Sequence, residues 1–191
     1  MTFASLIVAA GFIGQPASLP PRFPASAPLR VVTSLTTYGA IAREIVGDRG
    51  TVTSIAQGNE DPHFVQPKPS FVAVLRNADL FVTTGMDLEL WVPALLDRAG
   101  NRNILEGGPG YVPAYKGINL LEIPTSLSRS QGDIHVDGNP HIHTDPLNGI
   151  IIARTSSAAC SGSHRRMPSS SRVGSRISRS AYSRPRWEPG W

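Results

Sequence analysis

From Leu29 onward, short β-branched runs alternate with stretches whose apolar residues recur every three or four positions, and the links between them are mostly brief. LRVVTSL, from Leu29 to Leu35, reads as a first strand, and Tyr38, Ile41, Ala42, Ile45 and Val46 lie on one helical face that Gly47 ends. TVTSI, from Thr51 to Ile55, is a second strand. A helix from Phe71 to Asn77, capped by Ser70, leads to a third strand in DLFVTT, which ends at Gly85. LELWVPALLDRA, from Leu88 to Ala99, is an amphipathic helix that tolerates Pro93 in its first turns, where a missing N–H costs little. Asn103 to Leu105 is a brief strand candidate, Glu106 to Tyr115 a Gly- and Pro-rich loop, and INLLEI from Ile118 to Ile123 a further strand. Such alternation predicts an α/β fold with a parallel sheet and helices on both faces, because parallel neighbours need a crossover. Ligands of such sheets sit beyond the carboxyl ends of the strands.

Two polar loops leave those ends. The first, Ala56 to Pro69, holds His63 among Glu60, Asp61 and Pro62, with Pro67 and Pro69 limiting the entropy lost on fixing it. The second, DIHVDGNPHIHTDPLN from Asp133 to Asn148, holds His135, His141 and His143, with Gly138, Asn139 and Pro140 turning the backbone before His141. Asp145 followed by Pro146 is a helix start, so these histidines lie on the loop that feeds a helix. Imidazole and carboxylate together suit a divalent cation. His63 and His141 are expected to meet at one mouth of the sheet as metal ligands. His143, two residues beyond His141, points away from it in an extended segment and is expected to pack or support, with coordination as its alternative. His135 is an auxiliary candidate that either captures metal weakly or does nothing.

The ends differ in character. Residues 1–28 combine an apolar run, Ala4 to Gly14, too short for an ordinary membrane span, with a Pro-rich spacer. They read as a signal peptide, which implies a periplasmic or extracytoplasmic location. Residues 29–154 form the predicted metal-binding lobe and the start of a helix. Residues 155–191, rich in Ser and Arg, are expected to be a disordered tail. Eight arginines and one glutamate from Arg154 to the end give +7, which leaves −3 for the rest of a chain whose net charge is +4. The basic balance therefore belongs to the tail, and the folded part gives no electrostatic ground for nucleic acid. A helix that changes character after Arg154 without a cap also fits a slipped reading frame. Cys160 is the only cysteine, so there is no disulfide framework or thiolate zinc cluster.

The runs GNEDPHFVQPKPS, ADLFVTTGMDLELWV and GNPHIHTDPLN, in that order and on matching elements, resemble the solute-binding proteins of zinc and manganese ABC transporters. The likeness covers about residues 29–154, the N-terminal lobe of that family's two-lobed fold. It implies that His63 and His141 are this lobe's two ligands for zinc, with manganese as the alternative ion. It also implies a monomer that delivers the ion to a membrane permease, without catalysis. The family's remaining ligands come from a second lobe, and no position after Arg154 matches its motifs, so a truncated and impaired receptor is expected. Two other classes compete. A hydrolase would use a two-histidine metal with Asp145 or Glu60 as base, and a basic-tailed protein would bind nucleic acid or an anionic surface.

Overall fold

The computed structural model describes residues 27–124 and 135–163. Four strands, β1 (Leu29–Thr33), β2 (Gly50–Ser54), β3 (Leu80–Thr83) and β4 (Tyr111–Pro113), make one sheet in the order β2-β1-β3-β4. Every pairing is parallel, with Val31 opposite Val52 and Leu80, and Val82 opposite Val112. The helices are α1 (Thr36–Val46), α2 (Pro69–Arg76), α3 (Val92–Ala99) and α4 (Pro146–Ser163). Helix α1 packs on α4, and α2 packs on α3. Right-handed crossovers place the two pairs on opposite faces, because the chain steps one way from β1 to β2 and the other way from β2 to β3. The α/β expectation therefore holds. Its core is fully buried at Phe81, Leu80, Leu75, Leu88, Leu95 and Ile104.

The reversal of direction between β1 and β3 is the topological switch point, where a crevice opens at the carboxyl ends of the strands. Ser34 and Thr84, the residues after these two strands, are both fully buried there. They are joined by Glu89, whose carboxylate accepts from the Ser34 hydroxyl, from Thr83 Oγ1 at 3.1 Å, and from both the amide and the hydroxyl of Thr84 at 3.2 and 2.8 Å. Tyr38 of α1 adds its own hydroxyl, 2.9 Å from Thr84 Oγ1. The floor of the crevice is thus a closed polar network.

Several local expectations are corrected. Helix α3 begins at Val92 instead of Leu88, because Glu89 turns inward to the network and holds the preceding residues in a turn. Lys68 precedes α2 and Pro69 opens it, so Ser70 lies inside the helix and caps nothing. Residues 102–104 form a 3-10 turn, not a strand: Asn101 Oδ1 accepts from the Asn103 amide, and the Asn103 side chain donates to Asp79 O at 2.6 Å. The fourth strand is Tyr111–Pro113, inside the segment expected to be loop, and Ile118 to Ile123 is not a strand.

Asp145 Oδ1 accepts the Leu147 amide at 2.8 Å, as a helix-start residue should, and α4 then runs past Arg154 to Ser163. The tail boundary at residue 155 is therefore wrong by at least nine residues. Thr155 and Ser161 return their hydroxyls to carbonyls four residues back, Ile151 and Ser157, at 3.1 and 2.9 Å. That satisfies side chains which would otherwise compete with the helix. Ile152, Ala153 and Ser156 are buried along its length. The expected signal segment, residues 1–26 of the predicted leader and spacer, and residues 164–191 lie outside the described residues.

Candidate metal centre

The loops after β2 and before α4 bring three imidazoles together. His63 and His141 have ring centroids 5.3 Å apart, His63 and His135 5.6 Å, and His135 and His141 5.7 Å. One ligand atom from each of the three lies within 4.8 Å of the others. Two nitrogens on a single tetrahedral zinc stand about 3.3 Å apart for Zn–N bonds near 2.05 Å. That spacing falls within the 4.8 Å bound of the cluster, whose three side chains are only partly buried.

How each ring is aimed follows from local chemistry. Asp61 Oδ1 accepts both the backbone amide of His63, at 2.9 Å, and its Nδ1, at 2.8 Å. Asn139 Oδ1 does the same for His141, at 3.0 Å from the amide and 2.9 Å from Nδ1. The two tripeptides Asp61-Pro62-His63 and Asn139-Pro140-His141 are one device used twice. The short side chain folds over the proline, captures the amide two residues on, and fixes the ring by the same oxygen. An acceptor at Nδ1 selects the tautomer with its proton there, which leaves Nε2 with a lone pair for a cation. The loop of His63 is tied down further by Trp91, whose Nε1 donates to Pro62 O at 2.7 Å. Asn139 is held by the amide bond it donates to Leu121 O at 2.8 Å and by Glu122 Oε2, 2.9 Å from its Nδ2. Gly138 sits at φ +103°, and a Cβ there would stand 2.8 Å from Leu121 O, so the turn into Asn139 requires glycine.

Electrostatics keep the cluster receptive to a cation. The amide and imidazole of His63 hold the Asp61 carboxyl below its usual range. Burial, together with the neighbouring rings of His63 and His135, pushes His141 below the ordinary imidazole value, so it is neutral and able to ligate at neutral pH.

The structure brings together His63 and His141, the pair expected from the sequence, and adds His135, expected there only as an auxiliary candidate. His135 Nδ1 lies 2.8 Å from Asp87 Oδ1, and the Val136 amide donates to the other oxygen of Asp87 at 3.4 Å. Asp87 carries no sequence signal of this kind, since the contact spans 48 residues. His143 stays outside the cluster. Its ring is 6.4 Å from that of His141 and meets Tyr38 edge-on at 6.3 Å, and its buried Nδ1 has no hydrogen-bond partner among the described residues. Burial lowers its affinity for a proton, which suits a neutral ring packed on a tyrosine.

A parallel α/β lobe that gathers three imidazoles on the loops after β2 and before α4 is an arrangement able to hold a metal ion. Residues 31–162 match the family model described as zinc-uptake complex component A, periplasmic (ZnuA), and the chain belongs to that family. It is 33% identical over 94 residues to the high-affinity zinc uptake system protein ZnuA of Bacillus subtilis, a match covering 49% of this chain and 28% of the relative. It is also 33% identical over 81 residues to the manganese-binding lipoprotein MntA of Halalkalibacterium halodurans, covering 42% and 27% of the two chains. Among solved structures, the metal-dependent lipoprotein YcdH of Bacillus subtilis superposes with a TM-score of 0.55 at 26% identity, over 71% of this chain and 45% of that one. The chain thus spans less than half the length of these relatives.

Proposed function

We propose that this chain is the metal-capturing lobe of an extracytoplasmic solute-binding protein that takes up a divalent ion, zinc with manganese as the alternative, for the permease of an ABC transporter. The ion is cargo, and His63 and His141 are its ligands. The observation that carries this reading is the repeated device at Asp61-Pro62-His63 and Asn139-Pro140-His141, which presents two preorganised imidazoles at a single mouth. Relatives named for zinc and for manganese support the choice of ions.

Capture is favoured over hydrolysis by what the neighbouring carboxylates do. Glu60 Oε2 accepts the Gln57 amide at 2.7 Å, and Asp145 Oδ1 accepts that of Leu147, so both candidate bases serve the backbone.

The test is linkage. A ligand present at a hundred times its dissociation constant stabilises the state that binds it by about 2.7 kcal/mol. Zinc is expected to raise the thermal midpoint of the metal-free chain by several degrees, and His63→Ala with His141→Ala to remove the rise. An equal zinc response in the double variant would reject the site.

A further inference from the structure

We infer that His135 is a third zinc donor supplied by the same lobe, positioned by Asp87, so that the site is a three-imidazole centre selective for zinc over manganese. This rests on the capture role proposed above and goes beyond it, since it changes both the donor set and the ion preferred. Three observations support it. His135 is equidistant, to within a few tenths of an ångström in ring centroid, from His63 and His141. Its Nδ1 is occupied by a carboxylate just as theirs are occupied by Asp61 and Asn139, so all three rings have the same nitrogen left over. The pair is also built in: His135 and Asp87 side chains are 17% and 24% exposed, too sheltered for a chance contact of a surface loop.

The chemistry follows from the donor type. Three neutral nitrogens on one open face match the three-histidine zinc sites that keep a fourth position for another ligand. Manganese sits at the weak end of the divalent series and prefers oxygen donors, so each added imidazole widens the gap in zinc's favour. Asp87 acts through His135: it holds the ring orientation and tautomer, a role whose loss typically costs 10- to 100-fold in metal affinity.

The full chain, stripped of metal, is titrated with zinc, manganese and cobalt(II), the last for its visible spectrum. His135→Ala is expected to weaken zinc by about 100-fold or more, to leave manganese nearly unchanged, and to change the intensity and position of the cobalt bands. Asp87→Ala should weaken zinc by about 10- to 100-fold. Asp87→Asn should restore it to within a few-fold, because an amide oxygen already does this work for His141. The metal-free thermal midpoint of each variant checks that the fold is intact, and His135→Gln repeats the test with a bulkier side chain if alanine unfolds the loop. Should His63→Ala remove zinc while His135→Ala leaves affinity and cobalt spectrum as in the parent, the third donor is refuted and the capture role stands. Should neither variant alter zinc binding, both are refuted.

Discussion

Glu89→Ala is expected to lower the stability of the chain by about 3 kcal/mol or more, seen as a fall of roughly 10 °C in thermal midpoint. Glu89 is 3% exposed, and its carboxylate takes hydrogen bonds from Ser34, Thr83 and Thr84 across the ends of β1 and β3. Alanine strands these donors, and a buried unsatisfied donor costs about 1–3 kcal/mol. The three hydroxyls can turn elsewhere, but the Thr84 amide cannot. Charge adds a second, separable effect. Burial raises the Glu89 pKa above its ordinary 4.5, against the pull of its hydrogen bonds. A raised carboxyl contributes its full stability below pH 4.5 and loses it as pH rises through the folded-state value. Glu89→Gln imitates the protonated form and lacks that loss. In metal-free buffer the difference between Gln variant and parent should therefore move in favour of glutamine as pH is raised from about 4.5 towards neutrality. A flat difference would show that Glu89 titrates as an exposed residue does.

Gly85→Val is expected to cost about 3 kcal/mol as well, for a reason lying wholly in the backbone. Gly85 leaves β3 at φ +79°, and a Cβ there would stand 2.4 Å from Pro113 Cβ and 3.0 Å from its Cα. Both the left-handed conformation and the contact with β4 forbid a β-branched residue. Equilibrium urea unfolding should show a lower midpoint with an unchanged slope. The turn also launches Asp87 and Glu89, so a valine that did fold would misplace the partner of His135 together with the floor of the crevice. A parent-like urea midpoint would mean that β3 and β4 part more easily at their ends than their packing implies.

What was legible in the sequence is what is local. The parallel sheet followed from β1, β2 and β3, whose β-branched runs are separated by clear helical periods, and His63 and His141 stood out by the acidic, proline-stiffened loops that carry them and by the family motifs around them. What was hidden is what depends on distant partners. Strand β4 has three residues, too few to show a period, and exists because Phe81 and Val82 of β3 offer it an edge. Ile118 to Ile123 has a better strand composition but pairs with neither edge strand, β4 nor β2, and Leu121 and Ile123 are left 65% and 62% exposed. Helix α3 looked longer because Leu88 and Trp91 fit its period, whereas the buried carboxylate between them decided where it starts. His135 could not be weighed for the same reason: its aim is set by Asp87 in another loop. The serine-rich end of α4 looked disordered because composition does not show hydroxyls returned to the preceding turn.

Trp91 is 7% exposed, and its indole N–H donates to the carbonyl of Pro62, the residue next to His63. An ion held by the His63 ring would sit close to that carbonyl, which makes Trp91 an optical reporter of the proposed site. With Trp187 and Trp191 replaced by phenylalanine, Trp91 becomes the sole tryptophan. Its emission should then shift and saturate in step with zinc, and stay constant in His63→Ala, so that occupancy can be followed by light in the unlabelled protein.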